Sequence, residues 1–163
     1  MLDSRYDFGG SERLPAVAVF KAIFLILVVI ALPAYSAEAI AGSIKTIQGS
    51  ALVRRGAQTI PASEGMHLLV NDILQTAADG RIGAILQDGT RIGLGPNTEL
   101  KIDTFIYEPA NQQYGLLLRL ARGVVAYFSG RMARLAPGSV TIETPVGVIG
   151  LRGTQLAITI EGA

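Results

Sequence analysis

Apolar and polar side chains alternate along most of the chain from Ile40 onward, in short runs bounded by Gly, Pro, Asn and Asp. A period of two predicts half-buried strands, whereas a helix would repeat its apolar positions every 3.6 residues. Residues 155–161 are the clearest strand, with Leu156, Ile158 and Ile160 on one face. Turn signals recur roughly every 8–12 residues, which is typical of an all-β sandwich or barrel. We therefore predict an all-β domain, a β-sandwich or a coiled sheet of short antiparallel strands, without a convincing helix.

Other runs predict further strands of the same domain. Residues 42–48 and 51–54 are expected to pair with each other across Gly49-Ser50. Two more strands are expected to bury one face each, because their aliphatic residues recur at every second position. These inward positions are Leu116, Leu118 and Leu120 on one strand, and Val140 and Ile142 on the other.

The strongest local signal is the Asp88-Gly89 dipeptide between two apolar runs. This dipeptide favours a type I′ hairpin turn, in which both central residues have positive φ. Pairing outward from such a turn sets Ile85 opposite Ile92 and puts Leu94 on the same, better buried face. Apolar residues also occupy the second face, so we expect the hairpin to be covered on both sides. Asp88 and Gly89 are accordingly predicted to be structural turn residues.

The N-terminal part has a different pattern. Residues 22–34 form an uninterrupted uncharged stretch, preceded by Lys21 and followed by the small-x-small sequence Ala37-Glu38-Ala39. This order is typical of a secretory signal peptide, and thirteen residues are short beside the roughly 20 that span a bilayer. The long, charge-balanced leader before Lys21 departs from this order, and a misplaced start codon or an uncleaved signal anchor would each explain it. We assign residues 1–39 to the signal or anchor and 40–163 to the β domain. The end of the sequence directly after a strand leads us to expect a version of the domain that is shortened at the C-terminus, or a fragment of it.

Composition restricts the chemistry. The 163 residues include no Cys and one His, with a formal net charge of +1. The absence of Cys excludes disulfides, thiolate catalysis and cysteine zinc sites, and a near-neutral chain gives no reason to expect nucleic-acid binding. His67 stands alone, and no Gly-x-Ser-x-Gly phrase marks a nucleophile. We predict no catalytic residue, no metal site and no cofactor.

Three groups of residues are candidates for binding. An Arg guanidinium suits a carboxylate or phosphate, and a glycine beside it lets a ligand approach closely. Asp72 offers a carboxylate within a turn. Clustered arginines without an intervening acid suit an anionic partner. For each group the competing interpretation is structural: an internal partner for the Arg, turn capping by the Asp, and a solvated strand face for the arginine cluster. The candidates are Arg152, Gly153 and Thr154; Asp72 and Thr76; and Arg119, Arg122 and Arg131.

Several phrases together resemble the FecR family, named for the ferric citrate uptake regulator. Their order along roughly 115 residues makes the likeness more specific than any single phrase. The phrases are Gly65 with Asn71-Asp72-Ile73-Leu74-Gln75-Thr76, the strand–turn–strand run 84–92, Leu120-Ala121-Arg122-Gly123-Val124, and Thr144-Pro145 followed by Leu151-Arg152-Gly153-Thr154-Gln155-Leu156.

The resemblance implies an extracytoplasmic all-β domain. In the regulators that give the family its name, this domain relays a signal from an outer-membrane transporter to a cytoplasmic sigma factor. Those regulators carry an anti-sigma segment of several dozen residues before the membrane helix, and only 21 residues precede the apolar stretch here. The relay to a sigma factor is therefore not expected of this chain.

The leading hypothesis is a non-enzymatic binding or signalling module that contacts an envelope protein or polymer, periplasmic or secreted after signal cleavage. The alternative is a structural envelope protein anchored in the inner membrane, with the β domain outside the cytoplasm and strand edges available for assembly. A hydrolase ranks last, because no nucleophile or metal constellation is present. The residues predict no oligomeric state.

Overall fold

The computed structural model describes residues 39–153 and 155–160. The predicted signal or anchor segment therefore lies outside the described residues, apart from Ala39. Twelve strands, one short helix and a 3-10 turn at Pro109–Asn111 make up the described part. The elements are β1 (Ile40–Gln48), β2 (Ala51–Arg55), β3 (Gln58–Pro61), β4 (His67–Leu69), β5 (Ile73–Thr76), β6 (Arg81–Leu86), β7 (Arg91–Leu94), β8 (Glu99–Glu108), β9 (Gln113–Phe128), α1 (Met132–Leu135), β10 (Val140–Thr144), β11 (Gly147–Leu151) and β12 (Gln155–Ile160).

The strands form one curled sheet in the order β3-β2-β5-β8-β9-β7-β6-β1-β4, with β10, β11 and β12 attached beside β9. The all-β prediction is confirmed. Two details differ from the expected set of short antiparallel strands. β9 is 16 residues long, and β10 runs parallel to it because α1 and the following turn return the chain to the start of β9.

β9 belongs to both halves of the sheet. Its first part pairs with β8 and β10, and its last residues pair with β7 and β12. We call β2, β3, β5, β8, β10, β11 and the first part of β9 the first half-sheet. The second half-sheet consists of β1, β4, β6, β7, β12 and the last part of β9.

A bend inside β9 changes which residues face the core. Leu118 and Leu120 point inward before the bend, and Val125 and Tyr127 point inward after it. The inward positions thus change from even to odd, because Ala121 is an extra residue where the β8 register shifts. β9 continues through Arg122-Gly123 without a turn.

Gly123 makes the bend sterically possible. Its φ of 92° is one that L side chains rarely adopt. A Cβ there would stand 2.3 Å from Thr98 Oγ1 and 2.4 Å from Thr98 Cα. The Thr98 hydroxyl accepts a hydrogen bond from the Val124 amide at 2.9 Å, which ties the bend to the loop before β8.

The core consists of aliphatic side chains from alternate positions of the strands. Each inward face predicted for β9, β10 and β12 is confirmed, with Ile158 the most deeply buried position of β12. Tyr127 is the largest fully buried side chain. The residues that confirm these faces are Leu116, Leu118, Leu120, Val140, Ile142, Leu156, Ile158 and Ile160.

The hairpin at Asp88-Gly89 differs from its prediction in turn type and register. Gly89 has a φ of 85°, but Asp88 is not among the described residues with positive φ, so the turn is not type I′. The Leu86 amide donates to the Thr90 carbonyl at 2.9 Å, which closes a three-residue loop. Ile85 therefore pairs with Arg91, and Ala84 pairs with Ile92.

The one-residue difference exchanges the faces of β6, because side chains alternate along a strand. Ile82, Ala84 and Leu86 form the buried face together with the predicted Ile92 and Leu94. Ile85 lies on the outer face and is half-buried. The expectation that both faces of the hairpin would be covered is wrong: only the inner face lies in the core.

The predicted pairing of 42–48 with 51–54 is also wrong. β1 pairs with β4 and β6, whereas β2 pairs with β3 and β5. Gly49, with a φ of 63°, carries the chain from one half-sheet to the other.

A further unpredicted element is α1, a single helical turn that buries Met132 and Ala133 against the core.

Replacing Gly123 by Ala tests the role of the bend. The variant combines a disfavoured positive φ with a clash against Thr98, so its free energy of unfolding should fall by about 3 kcal/mol in a denaturant titration. Gly115→Ala on the same strand is the matched control, because its Cβ would meet only Ile106 side-chain atoms at 3.8 Å or beyond. Equal stabilities of the two variants would contradict the proposed constraint.

Candidate functional site

The Arg152-Gly153 turn lies on the surface between β11 and β12. Both residues are exposed, and Gly153 has a φ of 61°. Apart from its two chain neighbours, no described residue has a heavy atom within 4 Å of the position that a Gly153 Cβ would occupy. Thr154 lies outside the described residues. The space beside Gly153 is compatible with the close approach expected of a ligand or another backbone.

The β10–β11 hairpin, directly before this turn, presents the most exposed large apolar residues in the described part of the chain. Val146 is 85% exposed and Val148 is 68% exposed. The Thr144 hydroxyl donates to the Gly147 carbonyl at 2.9 Å and so closes the hairpin. Among the described strands β11 pairs only with β10, which leaves its second edge without a neighbour. Sequence analysis did not single out this hairpin, although Thr144-Pro145 and the uncharged run 146–151 were visible signals.

Asp72 is a buried partner of Arg55. Its side chain is fully buried, and both carboxylate oxygens accept hydrogen bonds from the Arg55 guanidinium, at 2.8 and 2.7 Å. The Leu69 amide donates to the same carboxylate at 2.8 Å. Arg55 also donates to the His67 carbonyl at 2.9 Å. These bonds fasten the turn between β4 and β5 to β2, and they turn the Asp72 carboxylate away from solvent.

Thr76 has its hydroxyl turned into the sheet as well. The hydroxyl donates to the Gly95 carbonyl at 2.7 Å and accepts from the Thr98 amide at 2.9 Å. Thr76 nevertheless borders a cleft of about 570 Å³, which Arg122 also lines. The structure thus brings two of the predicted residues to one cleft, with Leu52 and Pro61 as its apolar wall.

The arginine cluster predicted from Arg119, Arg122 and Arg131 does not form one basic patch. Arg119 pairs with Asp103 and Glu143, at 3.2 Å each. Arg122 pairs with Glu99 at 3.4 Å. Arg131 is exposed, but it lies between the end of β9 and the start of α1. The acids come from neighbouring strands, so a window along the sequence could not show them.

Asp103 forms salt bridges with both Lys101 and Arg119. The Lys101 ammonium donates to its carboxylate at 2.6 Å. This hydrogen bond is the main cause that lowers the pKa of Asp103, with the charges of Lys101 and Arg119 acting in the same direction and burial acting against them. The outer surface of the first half-sheet is therefore a ladder of paired charges.

Asp88 fixes its turn from inside the protein. The side chain is fully buried and accepts hydrogen bonds from the Thr90 amide at 3.0 Å and the Thr90 hydroxyl at 2.7 Å. The Gly130 amide donates to the Thr90 hydroxyl at 3.1 Å, and the Arg131 amide donates to the Asp88 carbonyl at 2.8 Å. The predicted turn residue thus also anchors the chain between β9 and α1.

Tyr127 lies beside this network. Its hydroxyl is buried and has no hydrogen-bond partner among the described residues. Burial raises the pKa of Tyr127 above 10.0; the nearby Thr90 hydroxyl acts in the opposite direction, and the Asp88 carboxylate adds to the rise. The phenol therefore remains neutral at physiological pH.

The described residues contain no group of three or more His, Asp and Glu side chains that could hold a metal ion. His67 is exposed on β4, and its ring makes no hydrogen bond within the described part of the chain. No helix in the described ranges is both long and apolar enough to cross a membrane.

These features define a class of domain: a curled all-β sheet whose turns are held by buried polar side chains. A family model described as FecR protein matches residues 72–163, which is more than half of the chain. The chain belongs to the FecR family, as its motifs indicated. FecR is a regulatory family of cell-envelope signalling. Neither the curated proteins nor the solved structures include a match to this chain.

Replacing Asp72 by Asn tests whether this residue is structural. The change leaves Arg55 without its buried counter-charge, so the free energy of unfolding should fall by about 3 kcal/mol. Asp103→Asn is the matched control: it removes a carboxylate from a surface pair and should cost at most about 1 kcal/mol. An unaltered stability of the Asp72 variant, measured by denaturant titration, would favour a ligand-binding role for Asp72 instead.

Proposed function

We propose that this chain is a non-enzymatic, extracytoplasmic binding and signalling module that contacts a protein of the cell envelope. In this proposal the signal segment exports the β domain to the periplasm, and the β10–β11 hairpin makes the contact. Membership of a regulatory family supports the signalling role. The observation that carries the contact site is the exposure of Val146 and Val148 beside the edge of β11 that no described strand pairs with.

The free edge of β11 suits a protein partner for a specific reason. An unpaired strand presents a row of amides and carbonyls that another extended chain can complete. Soluble proteins usually protect such edges with charges, prolines or bulges. β11 has the sequence GVIGL and carries no charge and no proline. Val148 on β11 and Val146 in the turn before it would lose exposed apolar surface when a partner adds to the edge.

Arg152 is placed to orient such a partner. It follows β11 directly, at the end of the strand away from Val146. A guanidinium there can bind a carboxylate on the incoming chain, and Gly153 leaves space for close approach. The binding roles of Arg152 and Gly153 thus form part of this proposal, whereas the buried contacts of Asp72 and Thr76 favour structural roles for those two residues.

The same edge supports the second candidate function, a structural envelope protein that assembles through its strands. In that case the partner of β11 is another copy of the chain. The two functions predict cross-linked products of different mass, so one cross-linking experiment distinguishes them.

A photoreactive amino acid at position 148 tests the proposal in cells that normally produce the protein. We expect one discrete adduct with a different protein, and loss of that adduct when Val146→Asp is added. Position 106 is the matched control, since Ile106 is 40% exposed on another strand and should give no adduct. An adduct of twice the mass of the chain would replace the signalling proposal with self-assembly, and equal labelling at both positions would refute the contact site.

A further inference from the structure

The outer surface of the second half-sheet carries positive charges that form no salt bridge within the described part of the chain. An acid borders this half-sheet at Glu64, whose carboxylate accepts a hydrogen bond from the Ile47 amide at 3.3 Å. The strands β1, β4, β6, β7 and β12 and the last part of β9 contain no Asp or Glu. Lys45, Arg81 and Arg91 are exposed on this surface, and none of them forms a salt bridge with another described residue. We call these three residues and the surface between them the cationic face.

The first half-sheet shows the opposite arrangement. There the cations Arg54, Lys101, Arg119 and Arg122 each lie within 4 Å of a carboxylate. Since both surfaces belong to one small domain, the difference is not a property of overall composition. The cationic face is therefore electrostatically complementary to an acidic partner.

A groove crosses the cationic face between Lys45 and Arg91. It has a volume of about 280 Å³, and Gly83 and Gly93 lie along it. These two glycines are direct neighbours in the β6–β7 ladder. A second recess of about 350 Å³ shares Lys45 and Ile85 with the groove and extends it to His67.

Gly93 keeps the groove open although the fold does not demand a glycine there. Its φ is not in the left-handed region. A Cβ at this position would meet the Ala126 Cβ at 3.6 Å, an ordinary van der Waals distance. A larger residue would therefore fit the strand and fill the groove.

The two cations are held beside an apolar wall. Arg91 lies directly opposite Ile85 in the ladder, and its guanidinium stacks over the Phe128 ring at 5.2 Å from the centroid. Lys45 is the extra residue of a bulge in β1, between the pairs that Ile44 and Thr46 make with β6. The groove thus offers an apolar surface flanked by two positive charges.

We propose that this groove binds an extended acidic peptide segment of a partner protein. Apolar side chains of the segment contact Ile85 and Phe128, while its carboxylates pair with Lys45 and Arg91. This site is distinct from the β11 edge and does not depend on the function proposed for it.

Two observations favour a peptide over other anionic partners. Sugar rings bind by stacking on open aromatic faces, but the Arg91 guanidinium already covers the face of Phe128. Binding of a cationic protein surface to an anionic membrane is favoured when apolar side chains protrude into the headgroup region. Ile85 and Phe128 are instead half-buried within the sheet. A peptide backbone with alternating acidic and apolar side chains matches a recessed apolar wall between two cations.

A fluorescent peptide of alternating Glu and Leu tests this proposal on the full chain in mild detergent, with fluorescence polarisation as the readout. We expect saturable binding that weakens with added salt, and about tenfold weaker binding for the double variant Lys45→Gln, Arg91→Gln. The double variant Arg54→Gln, Arg119→Gln is the charge-matched control from the first half-sheet, and it should bind like the parent.

A second set of variants tests the proposal by filling the groove with a larger side chain. Gly93→Leu should weaken peptide binding at least tenfold without lowering thermal stability, whereas Gly115→Leu, at another uncrowded strand glycine, should leave binding unchanged. Equal binding by all four variants would refute the site. Binding of an anionic polysaccharide or of phosphatidylglycerol vesicles in place of the peptide, with the same dependence on Lys45 and Arg91, would also overturn the proposal.

Discussion

The continuity of β9 through its bend is the constraint on which the rest of the structure depends. One strand supplies hydrogen bonds to β8 and β10 before Gly123 and to β7 and β12 after it. The extra residue at Ala121 changes the inward positions from even to odd, so the leucines of the first part and Tyr127 of the second part enter one core. The two half-sheets are therefore expected to fold as a unit, because neither can form its complete ladder without this strand.

Buried polar side chains fix the turns around that strand. Asp72 with Arg55, Thr76 with Thr98, and Asp88 with Thr90 each satisfy backbone groups where a strand ends. Such groups are stable in a low-dielectric interior only when their hydrogen bonds are made. Residues that carry much of the family resemblance therefore hold the fold together. The surfaces available to partners lie elsewhere, at the β11 edge and on the cationic face.

Local sequence patterns predicted where the strands lie and which faces are buried, but they did not predict which strands pair with each other. Alternation identified Leu118 and Ile158 as inward, because a period of two is a property of a single strand. The partner of β1, the Asp88 turn type and the parity change at Ala121 depend on contacts distant in sequence, and these were wrong or missed. The pairing of charges likewise depends on residues that are distant in sequence. The window from Arg119 contains no acid, yet acids from β8 and β10 neutralise it, while the cations at 45, 81 and 91 are too far apart in sequence to suggest one surface.

Native-state amide hydrogen exchange of the full chain tests the central claim most directly. If β9 joins the two half-sheets into one cooperative unit, the buried amides of Leu118 and Val125, on opposite sides of the bend, should exchange with the same free energy of opening, equal to that of global unfolding. A free energy for Val125 lower than that for Leu118 by several kcal/mol, with the first half-sheet still protected, would show that the half-sheets open independently and would contradict the account.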